Sequence, residues 1–417
     1  MAITKRRASG LALTAAGASA ALLLAGCSGD PAPTETTPGG DTGGFAGVEL
    51  TVWNNIPFDP FATLQEQYFQ QCAEDLGITV TVETLTGSYN ADLLQAASSN
   101  TLPDVVQLST DTNLPQLAAQ GVLTDLSAHG ITTDGQLDSV AELGRYDGTL
   151  YGLVTQVESF AVFYDQAAFA EAGIEEFPTT FAELVDVATE LTTADRYGIA
   201  LPGAGDGSTP NYFLPFLLSA GGDPGDPQNA GSLAAIDLYG QLASAGALSK
   251  EFVNWGWDAP DQWKEGRAVI TVTGPWELVN DSLTVDYATA QFPTLETGAT
   301  PVVNLLGYGY GVPVQADENR VAAAAALVAC RAEEEKQLET AIQGGYIPAL
   351  TSAQQAFVAE VPTAASYVDA VPGAFNAASL GTEWFTLQQV YVDALQDVGV
   401  NGVSAEQAVE NALAANQ

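Results

Sequence analysis

Positive charge is what this chain has least of. Eleven Lys and Arg stand against 51 Asp and Glu, for a formal net charge of −40, and Lys5, Arg6 and Arg7 account for three of the eleven. Such a balance argues against nucleic acid, whose phosphates need clustered Lys and Arg, and against docking to anionic headgroups. The acidity reads either as colloidal solubility and adaptation to a salty or acidic setting, or as attraction for a cationic ligand. Histidine is nearly absent. His129 is the only one, and without a Cys cluster beside it zinc sites of the common kinds are excluded. No GxSxG elbow occurs to supply a nucleophile for a Ser/His/Asp triad built on His129. No metal, no cofactor and no catalytic residue is expected. Long apolar runs are missing too: the stretch 11–26 is interrupted by Thr14, Gly17 and Ser19, whereas a membrane span wants about 20 strongly apolar residues.

What the amino terminus does have is a basic start, a short apolar run and small residues before a cut, the pattern of a secretory signal peptide over residues 1–26. Leu24, Ala25, Gly26 and Cys27 resemble the lipobox of bacterial lipoproteins. That resemblance implies thioether lipidation of Cys27, cleavage just before it, and acyl chains buried in a membrane leaflet. Residues 27–47 are rich in Gly, Pro and Thr, with too little apolar content to repay the entropy of ordering, and read as a flexible tether. As a coil its root-mean-square reach is about 25 Å.

From Val48 onward most of the 417 residues remain, too many for one ordinary core, and with 47% apolar residues two lobes are expected. Residues 48–53 and 77–85 read as strands around a helix over 61–76 that stops at Gly77. A helix over 90–100 and a strand over 102–108, buried on both faces, continue the alternation, which argues for parallel βαβ units. Residues 150–165 read as one or two strands, followed by helices over 166–172 and 181–191. Later come helices over 211–220 and 233–245, strands over 268–273 and 307–314, one long helix over 317–337, and a mostly helical end over 366–416.

Two glycine clusters, Gly203/Gly205/Gly207 and Gly307/Gly309/Gly311, lack both the spacing of a dinucleotide fingerprint and a following GK[ST], so they read as a turn and a close-packed strand. Asp223 and Asp226 lie among prolines with no bidentate Glu at the twelfth place of a calcium loop, which favours plain turns. The aromatic loops say more. Trp53 stands beside Asn54 and Asn55, Trp255 and Trp257 flank Gly256 near Asp258, Trp276 and Glu277 follow Gly274 and Pro275, and Trp384 adjoins Glu383. In α/β sheets ligands gather at the carboxyl ends of strands, where Trp53, Asp111, Trp276 and Glu277 would fall. A flat ring beside amide and carboxylate groups is what a sugar requires, the ring on its C–H face and the polar groups on its hydroxyls. Trp263, on a short helix, is better read as core. With Cys27 set aside, Cys72 and Cys330 are an even pair in an exported chain, either bridged or two separate buried thiols.

Several segments, in order, are similar to the extracellular solute-binding proteins of carbohydrate ABC importers, the group that includes the maltose-binding proteins. They are NTLPDVVQLS (100–109), the stretch GTLYGLVTQVESFAVFYD at 148–165 with its continuation to 191, WKEGRAVITVTGPWEL (263–278), GYGYGVPV (307–314) and GGYIPA (344–349). The likeness spans nearly all of the chain after the tether. It implies an α/β, two-lobed periplasmic-binding-protein fold of type II kind, with a ligand cleft between lobes joined by a multi-crossing hinge. Lobe 1 would hold residues 48–155 and 307–346, and lobe 2 residues 156–306 and 347–417. Cys72 and Cys330 then share lobe 1, which favours a disulfide. The positions matching the family's ligand contacts are Trp53, Asn54, Asp111, Gln156, Glu158, Trp276, Tyr308 and Tyr310, with Trp255, Trp257 and Trp384 where relatives place stacking aromatics. The partners implied are a carbohydrate and the permease subunits, for a monomeric carrier held to the outer face of the membrane by lipid on Cys27. One departure is Val154, where the family usually has Pro after the Tyr-Gly-Leu segment. A polyamine- or metal-binding carrier of the same architecture, or a secreted glycoside hydrolase, are the rival readings.

Overall fold

A computed structural model describes residues 44–380 and 383–416. The expected signal peptide, Cys27 and the tether up to residue 43 lie outside the described residues. In chain order the strands are β1 (Glu49–Asn54), β2 (Thr79–Thr84), β3 (Val105–Ser109), β4 (Arg145–Tyr146), β5 (Thr149–Leu150), β6 (Leu153–Glu158), β7 (Ala161–Asp165), β8 (Tyr197–Ala200), β9 (Ala268–Thr273), β10 (Tyr287–Ala290), β11 (Asn304–Gly311), β12 (Ile347–Pro348) and β13 (Phe375–Asn376). They form two principal sheets, one in the order β12-β6-β11-β3-β1-β2 with β13 on the flank of β11, the other in the order β10-β7-β9-β8. This is the mixed α/β, two-lobed architecture of periplasmic binding proteins.

The first βα unit follows from its sequence. Helix Phe61–Leu76 buries Phe61, Leu64, Gln65, Tyr68, Phe69, Cys72 and Ala73, one face at the helical spacing. It stops where Gly77 adopts φ 69°, a left-handed cap that costs glycine little. The chain returns as β2, parallel to β1, and β3 joins β1 on its other side, also parallel. The sheet is not parallel throughout, however. β11 comes back from the second lobe and lies antiparallel to both β3 and β6, and β12 is antiparallel to β6. Its glycines fit this central slot: a Cβ on Gly309 would stand 2.2 Å from the Leu153 carbonyl oxygen.

From β6 the chain reaches β7, in the second sheet, through only Ser159 and Phe160. Around that crossing one apolar cluster contains Val154 and Val157 of β6, Ala161 and Phe163 of β7, and Trp263, Ile347, Phe357 and Tyr367. The sheets are therefore joined by packed side chains as well as by backbone. Trp263 is core, with its ring edge-on to Phe163. Larger clusters fill the rest of each lobe.

The expected single helix over 317–337 is two helices, Glu318–Arg331 and Glu334–Gly344. Between them Ala332 leaves the helix and Glu333 is extended, at φ −61° and ψ 148°. Gln337 Nε2 donates to the Ala332 carbonyl at 2.6 Å, a side chain taking up a main-chain acceptor freed by the break. No Gly or Pro marks the place. Arg331, fully buried, donates to Gln65 Oε1 at 2.8 Å and to Thr340 Oγ1 at 3.2 Å, and its guanidinium lies over the Tyr68 ring. Nearby, Asp104 receives Arg320, Gln315 and the Thr51 amide. No helix among the described residues is long and apolar enough to cross a membrane.

Cys72 and Cys330 are joined, which ties helix Phe61–Leu76 to helix Glu318–Arg331 across 258 residues of chain. A cross-link closing so long a loop acts mainly on the unfolded ensemble. Replacing both cysteines by Ala should lower the unfolding free energy by about 2–5 kcal/mol in denaturant titrations of the oxidised protein. An unchanged midpoint and slope would show that the bridge contributes nothing to stability.

Candidate functional site

The carboxyl ends of β1, β3, β6 and β9 converge between the two sheets, and the polar residues found there are not those of a core. Glu158, the last residue of β6, is 6% exposed and accepts a hydrogen bond from Tyr308 Oη at 3.2 Å. Tyr308 and Gln156 are register partners across β11 and β6, and Tyr308 is also paired with Ser109 of β3. Ser109 Oγ in turn donates to Asp111 at 2.6 Å. The result is a short row of polar groups across three strands: Gln156, Glu158, Tyr308, Ser109 and Asp111.

Burial decides their ionisation. It pushes the Glu158 carboxyl up from the usual carboxylate range to about 7, and the nearby negative Asp111 adds to the rise while the Tyr308 hydroxyl opposes it. Asp111 is raised as well, again by burial, with the Ser109 hydrogen bond working against it. Tyr308 titrates far above its ordinary range because it is buried beside Glu158.

Aromatic rings extend from this centre in two directions. On the first-lobe side the Tyr346 ring lies 6.2 Å from Tyr308 and 5.0 Å from Phe61, at the start of its helix. On the second-lobe side Phe160 meets Trp276 edge-on at 6.2 Å and Tyr212 at 4.7 Å, and Trp257 spans Tyr212 and Trp276. Trp276 is half-buried and Trp257 is 50% exposed, so both keep ring surface free for a ligand. Gly345 brings the two sides together: a Cβ there would sit 2.5 Å from the Pro275 carbonyl oxygen, and its φ of +77° suits glycine.

Two cavities open along this cleft. One, of about 630 Å³, is lined by Phe58 to Phe61, Trp257, Trp276 to Glu277, Val279 to Ser282, and Gln343, Gly344 and Tyr346. Glu277 at its wall is held by Lys264 Nζ at 2.5 Å and by Asn280 Nδ2 at 2.7 Å. The other, of about 540 Å³, lies beside Asp111 and takes in Thr110, Thr112, Glu142, Arg145, Tyr146 and Asp147. Of the buried polar atoms without a partner, both side-chain atoms of Asn54, Gln156 Nε2, Ser159 Oγ and Thr273 Oγ1 stand at these strand ends; others, such as Gln65 Nε2, Tyr239 Oη and Arg331 Nη1, lie elsewhere in the core. Native proteins leave few such atoms, and several together mark a place suited to a polar ligand.

The expected residues thus divide. Trp257, Trp276 and Glu277 line the first cavity and Asp111 the second, while Gln156, Glu158 and Tyr308 form the buried polar row across β6 and β11. Asn54 ends β1 there, fully buried, and Trp53 turns to the outer face, where Nε1 donates to Glu83 at 2.9 Å. Tyr310 does not line the cleft. It is core, with its hydroxyl on Gln65 at 2.8 Å and its ring edge-on to Phe69, and burial raises it to about 12. Trp384 is packed into the second lobe against Tyr391, and the half-buried Trp255 wedges between two apolar clusters while its carbonyl accepts from Gly203 and Ala204. Sequence reasoning missed Tyr346, Phe61, Phe160 and Tyr212. Tyr346 follows a Gly-Gly pair, a local cue to close backbone approach that could have pointed to it; the other three look like ordinary core residues. Among the described residues no three His, Cys, Asp or Glu are grouped to hold a metal. His129 lies apart from the cleft, beside Gly130 on a surface groove.

Residues 67–368 match the family model of bacterial extracellular solute-binding proteins. A curated binding protein of Brucella abortus (strain 2308) is 24% identical over 165 residues, which is 37% of this chain and 40% of the relative, so the match spans less than half of either. Among solved structures, the cyclic α-maltosyl-1,6-maltose binding protein of Arthrobacter globiformis superposes with a TM-score of 0.74 at 20% identity, covering 89% of this chain and 98% of that one. UgpB of Mycobacterium tuberculosis, in complex with glycerophosphocholine, gives 0.75 at 19% identity, with 88% and 97% covered.

The Glu158 environment fixes the sign of a pH effect. Below about pH 4.5 the carboxyl is protonated in both folded and unfolded chains; between about 4.5 and 7 only the folded chain holds the proton. Stability therefore falls as pH rises through this window, by about 3 kcal/mol in total, and levels off above it. Glu158→Gln should gain on the wild type by that amount between pH 4.5 and pH 8 in denaturant titrations. Parallel stability profiles for the two proteins would contradict the buried, proton-holding Glu158.

Proposed function

The chain belongs to the bacterial extracellular solute-binding proteins, and from that premise we propose that it binds a sugar or oligosaccharide outside the cytoplasmic membrane and delivers it to an ABC transporter permease by hinge closure. The observation that carries this reading is the pairing, in one cavity, of ring surface at Trp257, Trp276 and Tyr346 with the polar groups of Glu277 and Asn280. Rings take the apolar C–H face of a pyranose; carboxyl and amide groups take its hydroxyls. The sugar named for the Arthrobacter relative supports the same class of ligand.

Closure needs no covalent chemistry. Trp257, Trp276, Glu277 and Asn280 belong to the second-lobe wall; Phe61, Asp111, Tyr308 and Tyr346 to the first. A ligand touching both walls gains contacts in the closed arrangement that it lacks in the open one, and only that difference shifts the equilibrium. Residues 48–155 and 307–346 would move as one lobe against residues 156–306 and 347–417, and Ser159 and Phe160, which carry the chain from β6 to β7, lie just past the first of these boundaries. Micromolar affinity corresponds to about −8 kcal/mol, within reach of two stacked rings and several hydroxyl bonds.

Lipid on Cys27 would keep this monomeric carrier at the outer face of the membrane, near its permease; an unmodified Cys27 in the intact mass of the native protein would remove the anchor. For the ligand, thermal-shift screening against sugars and polyamines should give shifts with sugars, and Trp276→Ala should weaken the best of them at least about tenfold while the free protein unfolds as before. A response to polyamines alone would sink the sugar reading, and unchanged affinity in Trp276→Ala would take that ring out of the site.

A further inference from the structure

Glu277 is the one buried acid on the wall of the larger cleft cavity: it is 3% exposed, whereas Asp59 and Asp281 are open to solvent. Both of its oxygens are held by the protein, Oε1 by Lys264 Nζ at 2.5 Å and Oε2 by Asn280 Nδ2 at 2.7 Å. Lys264 itself does not line the cavity. It ends the short helix Asp261–Lys264 ahead of β9, and Glu277 lies on the turn Pro275–Val279 after β9, so the ion pair joins the segments on either side of that strand. Burial alone would lower the Lys264 ammonium, yet Glu277 and Asp261 raise it above its ordinary value, which keeps it charged. It is the only salt-bridge partner of Glu277 among the described residues.

A buried ion pair is a weak source of stability, because lost hydration offsets most of the attraction. What this one does supply is a hydrogen-bond acceptor in a fixed orientation. The donors beside it are engaged: Asn280 gives its amide to Glu277, Gln343 gives its own to Glu339 at 2.8 Å, and the Ser282 hydroxyl goes to Asn280 Oδ1 at 2.6 Å. No Lys, Arg or His lines the cavity. An ionised carboxylate only accepts, and each of its oxygens keeps a lone pair after Lys264 and Asn280 are served, so the complementary groups are hydroxyls. Trp276, next to Glu277 in the chain and on the same cavity, offers the ring face.

Resting on the glycan reading above, we infer that Lys264 is a positioning residue for sugar recognition: without touching the sugar, it holds Glu277 ionised and in place to accept from hydroxyls of the ring that stacks on Trp276. A neutral side chain in place of Lys264 leaves a buried carboxylate without its counter-charge. The carboxyl then swings toward water or takes up a proton, and either change removes the acceptor from the wall.

The test uses the full-length protein and an array of neutral mono-, di- and trisaccharides, followed, for the tightest binder, by its monodeoxy derivatives in titration calorimetry. The hydroxyl on Glu277 is the one whose removal weakens binding to the wild type but not to Glu277→Gln. Lys264→Met should bind the parent sugar about tenfold more weakly, bind that one deoxy derivative within about twofold of the wild type, and be rescued by Lys264→Arg. Glu277→Gln combined with Lys264→Met should bind the parent sugar as Glu277→Gln does, since Lys264 acts only through that carboxylate. This last comparison leaves no carboxylate unpaired at position 277 and decides the matter even where Lys264→Met alone does not fold. A loss in Lys264→Met that is equal for the parent and every deoxy derivative, no loss at all, or a further loss in the double variant overturns the inference. So does the absence of any hydroxyl that reports on Glu277, which leaves the glycan reading standing. No binding of any sugar by the wild type overturns both.

Discussion

The pairing of β11 with β6 is the constraint on which the cleft depends. β11 enters the first sheet from the second lobe and runs antiparallel between β6 and β3, and this alone brings Tyr308 opposite Gln156 and within reach of Glu158. Three residues after Glu158 the chain is already in the other sheet, so the polar row sits directly beside the passage from β6 to β7. The glycines of β11 make that insertion sterically feasible, since a Cβ at Gly309 or Gly311 would run into the Leu153 carbonyl or the Leu108 side chain. Carboxyl groups at the crossing, rings on either side of it and a close approach at Gly345 are therefore consequences of one strand placement.

Rigidity and softness are distributed accordingly. The first lobe is fastened by the Cys72–Cys330 bridge, by the buried Gln65–Tyr310–Arg331 network and by the Asp104 cluster with Arg320 and Gln315. None of these groups lines the cleft. At the strand ends around it Asn54, Gln156, Ser159 and Thr273 keep polar atoms without protein partners, as Gln65 Nε2 and Arg331 Nη1 do inside that network, and Glu158 holds a carboxyl in a place that opposes its charge. A binding site built in this way accepts a local cost in stability for groups that a ligand can satisfy, and the fastened lobe behind it bears that cost.

Much of the fold was legible in the sequence wherever local signals and tertiary packing agreed. Helix Phe61–Leu76 begins and ends where its apolar spacing and Gly77 predict, and β9 coincides with the apolar run at 268–273. The break between the helices Glu318–Arg331 and Glu334–Gly344 was not legible, because it is made by tertiary fastening around Arg331 and Gln337 rather than by Gly or Pro. The antiparallel course of β11 was hidden for the same reason: strand direction is set by the route of the chain through the other lobe. In the site, Tyr308 and Tyr310 share a face of β11 two residues apart, yet one meets Glu158 and the other meets Gln65 and Phe69 under a helix. Sequence gives the face but not where the covering helix ends. Trp384 shows the complementary limit, an aromatic beside an acidic residue whose burial depends wholly on what packs against it.

The proposed glycan site is the cavity walled by Trp276 on one side and Tyr346 on the other. The most direct measurement is a crystal structure of the protein with the tightest ligand from the screen. A sugar ring should lie against Trp276, with a polar group of the ligand within hydrogen-bonding distance of Glu277 or Asn280. A ligand bound elsewhere, for instance in the surface groove beside His129, with the Trp276–Tyr346 cavity untouched, would contradict this placement.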